Sequence, residues 1–219
     1  MTIGTNSSPF CGKDGSLLTA RKIEERLMKE TQRDVSLKVA PNDSESWIVS
    51  GRGELHLSIL IENMRREGYE LSVSKPEVIT QEIDGVKCEP FEKVIINVPN
   101  DYSGTIINDI SERKGTMNSM EPAEENYVRL TFTVPTRGLI GYRSAFITNT
   151  KGEGVMVRSF EGYKPYVGEI SGRKNGVLVT MENGKTLGFS LFNLQERGTM
   201  IVGPAEEVYI GMVVGIHNR

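Results

Sequence analysis

At 219 residues, 37% hydrophobic and 25% charged, the chain has the composition of a folded globular protein, with apolar material for one large or two to three small cores. A net charge of −3 removes any bulk electrostatic case for nucleic acid, so RNA contacts would have to come from local clusters of Lys and Arg. No apolar run reaches the roughly 20 residues of a membrane helix, no signal-peptide pattern opens the chain, and two distant cysteines, Cys11 and Cys88, suit a reducing cytoplasm rather than a disulfide framework.

In chain order, Met1 to Pro9 reads as a short strand and Gly12-Lys13-Asp14-Gly15 as a turn. Ser16 to Thr31 is a helix with Ala20, Ile23 and Leu27 on one face and an Arg21/Glu25 pair outside. Val35, Leu37 and Val39 alternate as a half-buried strand, Asn42-Asp43-Ser44 turns, and Trp47-Ile48-Val49 is the next strand. The stretch SGRGELHLSILIENMRREGYE, Ser50 to Glu70, then leaves that strand and enters a helix with Leu57, Leu60, Ile61 and Met64 as its stripe and Gly68 as its cap. Tyr69, Leu71 and Val73 close a βαββαβ unit with both helices on one face.

The same order recurs. Val94, Ile96 and Val98 alternate, Ser103 to Lys114 is helical with Ile106, Ile107 and Ile110 inward, and Gly115 stops it. A weak strand over Thr116 to Met120, a strong one at Val128, Leu130, Phe132 and Val134, a helix carrying Leu139, Tyr142, Phe146 and Ile147, and a strand over Val155 to Phe160 complete the second unit. A slide of 85 positions lays Arg52-Gly53 on Arg137-Gly138, which reads as a tandem repeat joined near Pro76 to Pro90. From about Gly162 the chain turns Gly-rich and strand-like. Glu182-Asn183-Gly184-Lys185 before Leu187 to Phe192 gives an Asn-Gly hairpin signal, no helix is expected, and a sheet ending at His217-Asn218-Arg219 would leave an open edge.

No catalytic constellation is present in the pattern. The Walker spacing is absent, and Gly51-x-Gly53 runs on to His56 where a dinucleotide fingerprint needs a third glycine. The two histidines, His56 and His217, allow no multi-His metal site, and His56 reads as a hydrogen-bonded structural residue. Basic residues at helix ends and loop tips are the remaining candidates: Arg113-Lys114 beside Gly115, Arg173-Lys174 in a Gly/Asn turn, and the single Arg137 and Arg143. Each pair taken alone also suits simple surface solvation.

The strings SPFCGKDG (Ser8 to Gly15), SGRGELHLSILIENMRREGYE, ERKG (Glu112 to Gly115), PTRGLIGYRS (Pro135 to Ser144), QERG (Gln195 to Gly198) and EVYIGMVVGIHNR closely resemble the BipA/TypA family of translational GTPases over essentially the whole chain. The resemblance implies an α+β fold. Two tandem ferredoxin-like βαββαβ domains (residues 1–80 and 81–161, like elongation factor G domains III and V) precede an incomplete, mainly β family-specific domain (162–219). It implies a cytoplasmic, ribosome-associated protein whose partners are large-subunit rRNA, A-site tRNA as a further candidate, and its own N-terminal GTPase domain, with no membrane partner. GTP and Mg would belong to that GTPase domain, leaving this chain without catalytic residues, metal or cofactor. On that layout Arg113, Lys114, Arg173, Lys174, Arg137 and Arg143 are the expected phosphate contacts. A rival reading is a tandem ferredoxin-like regulatory module binding a small ligand, and a second is a purely structural coupler.

Overall fold

Elements form where the apolar period switches between 2 and 3.6. In a computed structural model, which describes residues 1–123, 126–170, 172 and 175–219, the chain divides into two compact units, Met1–Gly168 and Glu169–Arg219. The first unit opens with β1 (Thr2–Thr5), α1 (Ala20–Arg33), β2 (Lys38–Pro41), β3 (Ser46–Ser50), α2 (Glu54–Arg66) and β4 (Leu71–Val73). Their strands form one antiparallel sheet in the order β2-β3-β1-β4. Ile23 and Leu27 of α1 and Leu57, Leu60 and Met64 of α2 pack with Ile3, Trp47 and Val49, so both helices cover the same sheet face. Arg26 locks the helices to each other: it is nearly buried, chelates Glu67 at the end of α2 at 2.7 and 2.8 Å, and reaches Glu30 at 2.6 Å. Val35 lies outside the strand expected for it, 93% exposed, because Asp34 accepts the Ser36 N–H and hydroxyl and turns the chain there.

Residues 6–19 connect β1 to α1 without regular structure, yet they are tightly held. The carboxylate of Glu70, itself buried, accepts the backbone N–H groups of Gly12, Asp14 and Gly15, each at 2.8 Å, and the Asn6 amide at 3.0 Å. Those backbone donors hold the Glu70 carboxyl down at about 2.

The second half of this unit repeats the order with β5 (Gln81–Ile83), β6 (Val86–Pro99), α3 (Asn100–Glu112), β7 (Thr116–Pro122), β8 (Tyr127–Pro135), α4 (Thr136–Leu139), α5 (Tyr142–Asn149) and β9 (Val155–Pro165). Strand β6 is central, with β8 and then β7 on one side and β9 on the other, while β5 pairs with its first residues. Val94, Ile96, Val98, Leu130, Phe132 and Val134 face Ile106 and Ile110 of α3 and Leu139, Tyr142 and Phe146 beyond β8. Ile3 pairs with Trp47 and Val94 with Phe132, so the offset between halves is 91 at the first strand and 85 at the later one. A single slide fails because α3 starts directly after β6, where the first half spends residues 6–19.

Two expectations change here, at the second helix and at Gly162. The helix carrying Leu139 to Ile147 is broken at Gly141, whose φ of +71° is left-handed, and Ile147 is exposed. In β9, Met156 and Arg158 take the side on which Ile96 and Val94 face the core, which leaves Val155 and Val157 exposed on the other; Phe160, on the same side as Met156, is exposed as well. Strand β9 also runs past Gly162, held by pairs as far as Cys88 with Pro165, so the change in composition there falls inside a strand.

The second unit holds β10 (Val177–Val179), β11 (Gly184–Lys185), α6 (Gly188–Leu194), β12 (Gly198–Met200), β13 (Glu207–Val208) and β14 (Val213–His217). The expected Asn-Gly hairpin is absent: the Asn183 side chain accepts the Ile210 N–H at 2.8 Å, β11 pairs with β13, and Gly188 to Leu194 is helical. The terminal strand is not an edge, because β14 lies between β10 and β12.

Gly115 stops α3 for a steric reason. A Cβ there would stand 2.4 Å from the Ile110 methyl and 3.0 Å from Val134, both in the core. Gly115→Ala is expected to lose about 1–3 kcal/mol in urea unfolding; an unchanged midpoint would refute the clash. Glu70→Gln should speed amide exchange at Gly12, Asp14 and Gly15 at neutral pH. The folded carboxyl titrates near 2, below its ordinary value of about 4.3. Its stabilisation is therefore complete above about pH 4.3 and fades as pH falls toward 2, so the stabilities of wild type and variant should converge in acid.

Candidate nucleic-acid interface

Both strand-to-helix exits carry Arg-Gly, and the two arginines behave oppositely. At the first, Gly51 brings the backbone against His56; a Cβ there would sit 2.8 Å from its Nδ1. The His56 ring accepts the Arg52 N–H through Nδ1 at 3.3 Å and meets Asp34 through Nε2 at 2.8 Å. Asp34 titrates below its usual range, chiefly because Ser36 donates to it twice, with His56 and Arg52 adding to the effect. Arg52 itself stays exposed, 3.9 Å from Asp34. The motif at Ser50 is thus a strand exit braced by His56.

At the second exit Arg137 turns inward. Its guanidinium chelates Glu89, whose side chain has no solvent exposure, donates to the Gly168 carbonyl, and lies 4.5 Å over the Tyr166 ring. Glu89 also accepts the Val167 N–H at 3.0 Å. Arg113 is similarly engaged: it donates to the Gly138 carbonyl at 2.9 Å and stacks 4.6 Å over Tyr142. Burial pushes the Tyr142 phenol well above its usual range, helped by Asp109, to which the hydroxyl donates at 3.3 Å. The guanidinium groups of Arg113 and Arg137 are therefore spent on the scaffold.

Lys114 and Arg143 differ from these. Lys114 occupies the left-handed turn after α3 with φ +65°, and Arg143 lies in the first turn of α5. Both are exposed, and neither has an ion-pair partner among the described residues. Arg173 and Lys174 lie outside the described residues.

Sequence reasoning missed the residues that join the two halves of the first unit. Glu54 accepts the Gly141 N–H at 3.3 Å and faces Arg158 at 3.9 Å, and Arg158 chelates Glu92 across the β6–β9 pair at 2.8 and 2.9 Å. Nothing local flags such partners. Among the described residues no group of three His, Cys, Asp or Glu side chains is placed to hold a metal ion, and no helix is long and apolar enough to cross a membrane.

Truncating Arg137 would strand the Glu89 carboxylate in the interior. Arg137→Ala is expected to cost about 3–5 kcal/mol in denaturant unfolding, whereas Arg143→Ala should stay within about 0.5 kcal/mol of wild type. Equal effects at the two sites would refute the assignment of Arg137 to the scaffold.

Three family models match consecutive stretches of the chain. Elongation factor G domain III covers residues 16–75, the elongation factor G C-terminus 86–174, and the TypA/BipA C-terminal domain 175–219. Whole-chain relatives include proteins named large ribosomal subunit assembly factor BipA: from Bacillus subtilis (strain 168), 55% identical over 100% of this chain, and from Escherichia coli (strain K12), 49% identical over 98%. The protein of that name from Haemophilus influenzae is 50% identical over 98%. This chain spans 36% of the length of the first two and 35% of the third. The three domain matches and the whole-chain relatives agree that this chain belongs to the TypA/BipA family and carries its C-terminal part.

Proposed function

We propose that this chain is the ribosome-binding portion of a large-subunit assembly factor of the TypA/BipA type, acting in the cytoplasm on large-subunit rRNA. The observation that carries the reading is the likeness, along the whole chain, to proteins named for large-subunit assembly. The local chemistry supports it: on an acidic chain, Lys114 and Arg143 are exposed cations without an ion-pair partner among the described residues, the kind of group that pairs with phosphate. Arg173 and Lys174 belong to the same reading as a basic pair in the sequence, with A-site tRNA as a further contact. Arg113 and Arg137 support these elements from within. GTP hydrolysis with Mg belongs to a GTPase domain outside this chain, which that domain would use as its partner on the ribosome.

Sedimentation of the chain with purified large subunits across a salt series tests this. Binding should weaken with salt, and Lys114→Glu with Arg143→Glu should lower affinity roughly tenfold or more and flatten the salt slope by about 1 per lost phosphate contact. Binding that ignores both salt and the double reversal would overturn the RNA reading. The chain alone should release no phosphate from GTP; turnover would place catalysis here instead.

A further inference from the structure

The two halves of the first unit have separate cores. Ile3, Trp47 and the inner faces of α1 and α2 make one, Val94, Phe132 and Tyr142 belong to the other, and among the described residues none is shared. The covalent link, residues 74–80, has no regular structure and is largely exposed. Polar contacts across the gap gather at Glu54, which accepts the Gly141 N–H at 3.3 Å and stands 3.9 Å from Arg158. Both distances are long for their kind, and the Glu54 side chain is 39% exposed, so the bridge holds weakly. Its release strands nothing: Arg158 keeps Glu92 at 2.8 and 2.9 Å, and Gly141 is exposed, so water can take its N–H.

Two open clefts, of about 940 and 600 Å³, meet at this bridge. Arg52, Gly53, Glu54 and Arg158 line both, and their other walls differ. Open space on either side leaves the bridge as a thin brace between the halves. The larger cleft sets Leu55 and Ile59 of α2, 70% and 51% exposed, on the wall of the first half. Ile147 of α5 and Val155 of β9, 47% and 58% exposed, stand on the wall of the second. Aliphatic side chains left in water on both walls of one cleft gain by meeting each other. We infer that Glu54 is a latch: it holds the halves in the open arrangement, and its release lets them swing on residues 74–80 until Leu55 and Ile59 pack on Ile147 and Val155. The parts are those of a hinge closure, two packed bodies and an irregular link that absorbs the rotation. Lys114 and Arg143 both belong to the second half, so the swing moves them together relative to the first.

The test is pulsed electron paramagnetic resonance of the full chain, with spin labels at Asn63→Cys on α2 and Ser144→Cys on α5. A Cys11→Ser background removes the exposed native thiol, and Cys88 is buried. The wild-type chain should show mainly the long distance of the open arrangement, and Glu54→Ala should raise the short-distance population about threefold, the scale of one exposed ion pair. Glu54→Gln, which keeps an acceptor for the Gly141 N–H, should raise it less. Leu55→Ser with Ile59→Ser, added to Glu54→Ala, should cancel the gain, because the apolar surface that closure buries is gone. Thermal unfolding of the variants should stay close to wild type, since none of the replaced side chains belongs to a core. One narrow distance that Glu54→Ala leaves unchanged overturns the latch, and a short distance that persists in the triple variant overturns closure through these walls. A short distance that vanishes on dilution with unlabelled chain would come from pairing between copies and overturn the proposal equally. The sample holds no ribosome, so the outcome is independent of the RNA reading.

Discussion

A carboxylate without solvent contact has to be paired, and Glu89 imposes that condition on the second half of the first unit. Its oxygens take the Arg137 guanidinium and the Val167 N–H, and Arg137 in turn holds the Gly168 carbonyl and lies over Tyr166. Three distant pieces of chain, the start of β6, the turn into α4 and the segment after β9, are thereby fixed to one point. Strand β9 must run its full length to deliver Val167 there, which is why the compact unit ends at Gly168 rather than where the composition changes. An apolar trio of the same volume could hold as well. What an ion pair adds is register, because only one arrangement satisfies both carboxylate oxygens.

The two Arg-Gly exits show how a shared local sequence acquires different roles. Arg137 has a buried carboxylate within reach and is drawn in; Arg52 has Asp34, whose acceptors are already engaged by Ser36 and His56, and stays out. Glu54, in the first turn of α2, spans to Gly141, the residue whose left-handed backbone breaks the second helix. The break between α4 and α5 therefore presents a free N–H to the other half, and one exit is used to hold the other.

Periodicity made the cores legible. Ile23 with Leu27, Leu57 with Leu60 and Met64, and the alternation from Val94 to Val98 and from Val128 to Val134 all proved buried, because burial along one element is a local property of sequence. Pairings at long separation were not legible: Gly12 with Glu70, Glu89 with Arg137 and Glu54 with Gly141 are fixed by tertiary geometry and leave no period. Leu187 to Phe192 misled for a different reason. A short apolar run has no period of its own, and there the Asn183 side-chain oxygen accepts the Ile210 N–H in the turn between β13 and β14 instead of turning a hairpin, leaving Gly188 to Leu194 free to coil. Among the basic candidates, type and loop position could not separate cations engaged internally from those left exposed, since the distinction lies in Gly138 and Glu89, residues remote in sequence.

The turn Arg113-Lys114-Gly115 shows what that distinction costs. The helix end needs a left-handed residue and, next to it, a residue without a Cβ. The only glycine serves the second need, since Ile110 and Val134 crowd position 115. Lys114 is left to adopt φ +65°, a conformation that costs a side-chain-bearing residue about 1–2 kcal/mol. Arg113 anchors the same turn from within through Gly138 and Tyr142, which lets the scaffold bear that strain. The result is a lysine held on a rigid, exposed corner beside a packed core. A cation fixed there loses less freedom on meeting an anion than one on a mobile loop, so the strain at the turn is set against entropy that binding would otherwise consume.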